Sequence, residues 1–256
     1  MSVLSGRTAL VTGAGNGLGR AISLALTDAG ARVILTGRTQ DKLDRVAEEI
    51  DGKGGAVRTA VCDISDPDSV ERLRAELDDE HICVLINNAG VAGPVAPLVD
   101  IEPAEWDEVF AVNVRGVFLA CRAFLPPMMA SGRGDVINIA SVTGKRPLAG
   151  RTPYAASKTA VLGLTATLAF EAGPHGVSVN SLSPGPVKGP RMERNFRLEA
   201  QRTGTDVATA EEAFVSRSAL GRMVGEEEVS AAVVAMLQMP GMTGADVDLS
   251  AGMIAR

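Results

Sequence analysis

Short runs of consecutive apolar residues alternate along this chain with longer stretches in which apolar positions recur at helical spacing. The apolar runs fall at about residues 7–12, 31–36, 56–61, 82–86, 134–140, 176–182 and 246–249, and the intervals between them read as helices. Arg32-Val33-Ile34-Leu35 and Ile82-Cys83-Val84-Leu85-Ile86 are almost continuously apolar, as expected for central parallel strands covered on both faces. The alternation predicts an α/β fold: one doubly wound domain over residues 1–256, with a parallel sheet of about seven strands and helices on both faces. Neither a linker nor a short repeat interrupts it.

The pattern becomes irregular at about residues 184–225. Ser183-Pro184-Gly185-Pro186 and Gly189-Pro190 open it, followed by a polar helical stretch and a break at Thr203-Gly204-Thr205. A second helix is expected to begin near Thr209, with Glu211 and Glu212 in its first turn. Long excursions of this kind in compact domains serve as lids or binding elements, so a substrate lid is expected at about 186–225.

Composition narrows the function classes. With 256 residues, 46% of them hydrophobic, the chain can bury a full core. A formal net charge of -6, without a basic cluster, argues against a nucleic-acid partner. Cys62, Cys83 and Cys121 are too far apart for a disulfide framework or a zinc site and read as buried, reduced thiols of a cytoplasmic protein. His81 and His175 are too isolated for a metal cluster or a Ser-His-Asp site, so no metal is expected, and both read as surface or loop residues. The N-terminus has no charged leader ahead of an apolar core, and no uninterrupted apolar run reaches the roughly 18 residues of a membrane span. No membrane partner is expected.

Candidate chemistry lies at two places. The first strand runs into Thr12-Gly13-Ala14-Gly15-Asn16-Gly17-Leu18-Gly19, and a helix opens at once. Glycines in a strand-turn-helix setting allow backbone amides to approach a diphosphate, the Rossmann-type arrangement for dinucleotides. Gly13, Gly15, Asn16, Gly17, Leu18 and Gly19 are therefore candidate cofactor contacts. At the end of the second strand, where a carboxylate would hold a ribose 2′-hydroxyl, the chain has Thr36-Gly37-Arg38. A guanidinium there accommodates a 2′-phosphate, so NADP is favoured over NAD.

The second place is Pro153-Tyr154-Ala155-Ala156-Ser157-Lys158. On a helix the i,i+4 spacing puts phenol and ammonium on one face, and the cation lowers the phenol's pKa from roughly 10 towards neutrality. Tyr154 is a candidate acid/base.

The Thr12–Gly19 turn, Asn87-Asn88-Ala89-Gly90, Ser141, and Tyr154 with Lys158, in this order and spacing, resemble the short-chain dehydrogenase/reductase family in its single-domain form. The resemblance implies that Asn113, in Val112-Asn113-Val114-Arg115-Gly116, holds a water in a proton relay. It also implies that Ser141 hydrogen-bonds the substrate oxygen, Tyr154 is the general acid/base, and Lys158 lowers its pKa and binds the nicotinamide ribose. Asp63 and Ile64 match positions that touch the adenine. Asn88, Ala89 and Gly90 match the segment bordering the adenine ribose, and Pro184, Gly185 and Val187 match the run lining the nicotinamide. The chain departs from the pattern at Gly189, where the family commonly has a threonine that contacts the carboxamide.

Arg191, Arg194 and Arg197 recur at three-residue steps in the expected lid, either as a solvated face or as a stripe that meets an anionic substrate. The helix from Tyr154 to about Ala172 carries more apolar surface than a sheet-covering helix needs. Related enzymes pair such helices between subunits, so a homotetramer or dimer is expected, with the Asp246–Gly252 segment also in oligomer contacts. The expected function is an NAD(P)-dependent oxidoreductase interconverting a secondary alcohol and a ketone. A narrower alternative is a 3-oxoacyl thioester reductase acting on carrier-protein or coenzyme A substrates. An alternative of another class is a dinucleotide-binding sensor or regulatory protein without chemistry.

Overall fold

A computed structural model of the chain describes residues 2–146 and 148–254. Its elements follow in chain order as β1 (Thr8–Thr12), α1 (Gly17–Asp28), β2 (Arg32–Gly37), α2 (Gln40–Asp51), β3 (Val57–Val61), α3 (Pro67–Glu76) and β4 (Ile82–Asn87). After these come α4 (Pro103–Phe110), α5 (Gly116–Ser131), β5 (Gly134–Ile139), α6 (Thr152–Ala172) and β6 (Val177–Pro184). The chain continues through α7 (Pro190–Thr203), α8 (Val207–Val215), α9 (Glu226–Met236) and β7 (Asp246–Leu249). The strands form one seven-stranded sheet in the order β3-β2-β1-β4-β5-β6-β7, and every pairing is parallel. This is the doubly wound architecture that the alternation predicts.

The side-chain period of a strand divides the core into two layers. Ala9 and Val11 of β1 face Ile22 and Leu26 of α1, Leu43 and Val46 of α2, and Val229 and Val233 of α9. Leu10, between them, faces the opposite layer with Leu73 of α3, Phe124 of α5 and Val161 of α6. Each strand of the central sheet is therefore apolar on both alternations, which is why the runs stand out in the sequence.

The sheet reverses its winding between β1 and β4, and a crevice opens beyond the carboxyl ends of the strands at such a switch point. The two strand ends are fastened together there. The Thr12 hydroxyl accepts from the backbone amides of Asn88 and Ala89, each at 3.0 Å, and the Asn88 side-chain amide donates to the Thr12 carbonyl at 2.9 Å.

Two features differ from the sequence reading. The helix expected near Thr209 begins at Val207, because Asp206 caps it by accepting from the Thr209 amide at 2.7 Å, and Glu211 and Glu212 lie beyond the first turn. Between α4 and α5 the helix widens into a π turn over Ala111–Arg115, making a continuous helical run from Pro103 to Ser131. That run is long and apolar enough to cross a membrane by length and composition, yet half of its most apolar window is buried. Phe124 and Met128 are spent on the sheet. Cys62, Cys83 and Cys121 are free and buried, and His81 and His175 are exposed.

Candidate active site

The crevice is a cleft of about 870 Å³ running from the glycine turn to α6 and roofed by α7 and α8. Gly13, Gly15, Asn16, Gly17, Leu18 and Gly19 line one end. Gly19 is there by necessity: a Cβ would lie 2.1 Å from the Gly13 carbonyl oxygen and 2.6 Å from the Asn88 amide nitrogen. The turn is folded tightly back on the strand end, which leaves its amides and the start of α1 facing the cleft, a cradle that fits a diphosphate.

Arg38 and Lys42 line this end of the cleft after β2, whereas the nearby Asp41, in the first turn of α2, does not. Asp63 and Ile64 line the cleft after β3. The Asp63 carboxylate accepts from the Ser65 amide at 2.9 Å and the Ser65 hydroxyl at 2.6 Å. Partial burial works against its charge, but these hydrogen bonds, with Arg38 and Arg115 nearby, hold its pKa below the ordinary carboxylate value. Asp63 thus also builds the turn in which it sits.

Asn88, Ala89 and Gly90 form the cleft wall after β4, and Ser141 stands at the end of β5 with its hydroxyl accepting from the Thr143 amide at 3.2 Å. Pro184, Gly185 and Val187 continue from β6. Val187 bridges to Val224, and the Lys188 and Val224 amides bond across the same gap, pinning the two roots of the α7–α8 excursion. Within that excursion Phe196 and Phe214 pack edge to face at 5.9 Å.

Tyr154 and Lys158 occupy successive turns of α6 facing this wall. The Lys158 ammonium donates to the Ile139 carbonyl at 2.7 Å and lies 5.8 Å from the Tyr154 ring centre. Burial pushes the Lys158 pKa down, and Tyr154 opposes that. For Tyr154, burial favours the neutral phenol, but Arg191, Lys158 and Arg151 outweigh it, in that order, and the Ser141 side chain also favours the phenolate. The phenol is lowered to about 8. The lysine credited from the sequence is therefore the second of three cations.

Asn113 alone among the expected catalytic and cofactor-contact residues does not line the cleft. It is fully buried behind Gly90, within the π turn, where its amide accepts from the Val91 nitrogen at 2.8 Å and donates to the Val91 carbonyl at 3.0 Å and the Ser157 hydroxyl at 3.1 Å. Such turns recur at functional sites. This one ties the wall at Gly90 to the first turns of α6.

Gly189 departs from the resemblance for a backbone reason. Its φ of +149° is disfavoured for a threonine, so the path into α7 is one that glycine takes most easily. All three arginines of the stripe are solvent-exposed, but Arg191 also lines the cleft, with its guanidinium 5.3 Å from the Tyr154 ring centre, and Arg194 and Arg197 do not. Arg151 went unnoticed in the sequence. It precedes α6, is only 6% exposed, and lies 5.0 Å from the same ring. Its position three residues before Tyr154 was the available signal.

A switch-point crevice with a glycine cradle at one end and a tyrosine-lysine pair at the other defines a dinucleotide-dependent dehydrogenase or reductase. The short chain dehydrogenase family profile matches residues 7–201, and the chain belongs to that family. It is 32% identical over 255 residues to the 3-oxoacyl-(acyl-carrier-protein) reductase FabG of Thermotoga maritima, covering 98% of this chain and 99% of that protein. An actinorhodin polyketide ketoreductase solved with NADPH superposes with a TM-score of 0.92 at 29% identity, covering 99% of each chain. An NAD+-bound xylitol dehydrogenase does so with a TM-score of 0.91, also at 29% identity, covering 96% of this chain and 98% of the other. The protein is an NAD(P)-dependent oxidoreductase acting on CH–OH or carbonyl groups.

Proposed function

We propose that the enzyme interconverts a secondary alcohol and a ketone, with NADP preferred and Tyr154 as the proton-transferring group. The observation carrying this reading is the Tyr154 phenol, held close to neutrality by Arg191, Lys158 and Arg151 at the cleft wall beside Ser141. Gly13 to Gly19 would hold the diphosphate, Asp63, Ile64, Asn88, Ala89 and Gly90 the adenosine part, and Pro184, Gly185, Val187 and Lys158 the nicotinamide riboside. The nicotinamide, when bound, supplies or accepts the hydride.

The chain's own part is the proton and the oxygen. In reduction the Tyr154 hydroxyl protonates the nascent alkoxide while the Ser141 hydroxyl donates a second hydrogen bond to it. In oxidation the phenolate takes the hydroxyl proton. Lys158 keeps the charged phenol affordable in a buried setting, and Asn113 fixes the wall against which both residues sit. The α7–α8 excursion closes the cleft as the substrate lid. NADP preference rests on Arg38 and Lys42 beside Gly37.

A second reading, reduction of 3-oxoacyl thioesters, is favoured by the similarity to the Thermotoga maritima reductase along the whole chain. We also read the protein as a homotetramer or dimer: Phe118 and Phe170, the latter 85% exposed, flank the outer faces of α5 and α6. Sedimentation as a monomer at micromolar concentration would refute that.

The functional reading is tested by following dinucleotide absorbance across a panel of ketones, secondary alcohols and acetoacetyl-CoA, using wild-type enzyme and Tyr154→Phe. Turnover of a ketone-alcohol pair, cut at least about a hundredfold in the variant with cofactor binding intact, supports it. Cofactor binding with no turnover of any compound would make the chain a sensor instead.

A further inference from the structure

Two arginines join Lys158 around Tyr154. Arg151 and Arg191 approach the ring at 5.0 and 5.3 Å from different elements, Arg151 just before α6 and Arg191 in the first turn of α7. Among the described residues no carboxylate lies within 4.0 Å of either guanidinium, whereas Arg7, the other arginine that is almost fully buried, pairs with Asp135. Glu199, a carboxylate lining the same cleft, forms its ion pair with Arg202 at 2.6 Å, and its charge reaches Arg151 only at longer range.

Arg151 is the more telling of the two. It is nine-tenths buried, one terminal nitrogen donates to the Ala92 carbonyl at 2.9 Å, and its Nε has no partner. A buried guanidinium with an unsatisfied donor is costly unless something completes it. Both arginines line the cleft beside the residues proposed to bind the reacting oxygen, in company with the apolar side chains of Leu148, Phe196 and Phe214.

Resting on the functional reading above, the geometry points to a substrate that carries a free carboxylate on its reacting carbon or one carbon away from it, a small oxo or hydroxy acid, held by Arg151 and Arg191. Arginine's planar fork matches a carboxylate with two parallel hydrogen bonds. The carboxylate would pair with the cleft-facing guanidiniums of Arg151 and Arg191, offset their positive charge and place the adjacent carbonyl at Tyr154 and Ser141. A thioester presents a neutral group at that position and offers the buried Arg151 guanidinium no ion pair.

The test compares acetoacetate and pyruvate with their methyl esters, using wild-type enzyme, Arg191→Gln and Arg151→Gln. Wild-type kcat/KM should favour the acid of at least one pair by about tenfold or more, and each variant should lower that acid-to-ester ratio by about tenfold or more. Because Arg191 also acts on Tyr154, both rates will move in the variants; the ratio cancels that common change. Equal or better use of the esters by the wild type, or an unchanged ratio in Arg191→Gln, would overturn the proposal and leave ketone reduction standing.

Binding supplies a readout without turnover. Calorimetric titration of the dinucleotide-loaded enzyme with isobutyrate should give an isotherm that Arg191→Gln weakens about tenfold. Binding of isobutyrate without turnover of any carbonyl would support the anion site and sink the functional reading. No isotherm with isobutyrate, or binding of inorganic phosphate alone in a parallel titration, would overturn the carboxylate assignment.

Discussion

The guanidinium carbon of Arg191 sits closer to the Tyr154 ring centre, at 5.3 Å, than the Lys158 ammonium nitrogen does, at 5.8 Å. A residue of α7 therefore shares with the helix lysine the task of making the phenol acidic, which couples the placement of α7 to the proposed proton-transferring group. The phenol is lowered to about 8 by these cations against the effect of burial. Oxidation needs the phenolate, so oxidative kcat/KM should rise as pH increases through about 8 and then level off. Reductive kcat/KM should fall through the same range. Arg191→Ala removes the first of the favouring cations and should move both midpoints upward by about one unit or less. A pH–rate profile of the variant that coincides with the wild type would show that Arg191 does not act on the phenol.

Gly19 tests the cradle. A methyl group there would meet the Gly13 carbonyl oxygen at 2.1 Å, and a backbone atom in the middle of a tight turn cannot yield cheaply. Gly19→Ala should lose about 1–3 kcal/mol of stability, seen in denaturant unfolding, as overpacked sites do. Dinucleotide affinity should fall as well, because relieving the clash re-aims the amides of the turn. Unchanged unfolding and unchanged cofactor titration would mean that the turn is looser than its geometry indicates.

Much of this arrangement was legible before the fold was seen. The strands announced themselves because both faces of the central sheet are covered, so Val33 to Leu35 and Ile82 to Ile86 carry no polar alternation. The glycine turn and the Tyr154–Lys158 spacing are local, and local spacing survives in sequence. Arg151 and Arg191 were not legible as a pair, because 3 residues before a tyrosine and the start of a distant helix become neighbours only when α7 folds over α6. The rotation of α7 is set by Phe196 and Ala200, which are buried, and it leaves Arg191 on the cleft rim while Arg194 and Arg197 lie off it. The helix start at Val207 was misjudged because the acidic pair at Glu211 and Glu212 imitates a first turn, whereas the Asp206 cap decides.

Cofactor preference should be transferable at β2. A side chain at Gly37 would meet only ordinary contact, with Leu43 at 3.5 Å, so a carboxylate can be introduced there without strain. In Gly37→Asp/Arg38→Ala the NADPH-to-NADH ratio of kcat/KM should drop by about ten- to a hundredfold, since a charge-assisted phosphate contact is lost and a repulsive one gained. An unchanged ratio in the double variant would remove Arg38 from the recognition of the 2′-phosphate.

Glu226 places a negative charge against the cradle. Its carboxylate lines the cleft at the start of α9, with an oxygen 3.6 Å from where a Cβ of Gly17 would be and 3.5 Å from that of Gly189. Burial raises its pKa above the ordinary glutamate value, Arg20 opposes this, and Glu227 adds to it. A diphosphate on the glycine turn would repel the ionised form, so cofactor binding and protonation of Glu226 should favour each other. The sign follows: as pH falls through the raised pKa, the carboxyl becomes neutral and the dinucleotide should bind more tightly. NADH is the probe to use, because it lacks the 2′-phosphate that titrates in the same region. Fluorescence titration should show a dissociation constant that falls towards acid pH in the wild-type enzyme. In Glu226→Gln it should be flat and about three- to tenfold lower at neutral pH, the size expected for one partly screened charge at this range. Weaker NADH binding in Glu226→Gln would instead mean that the carboxylate accepts a hydrogen bond that the cradle needs.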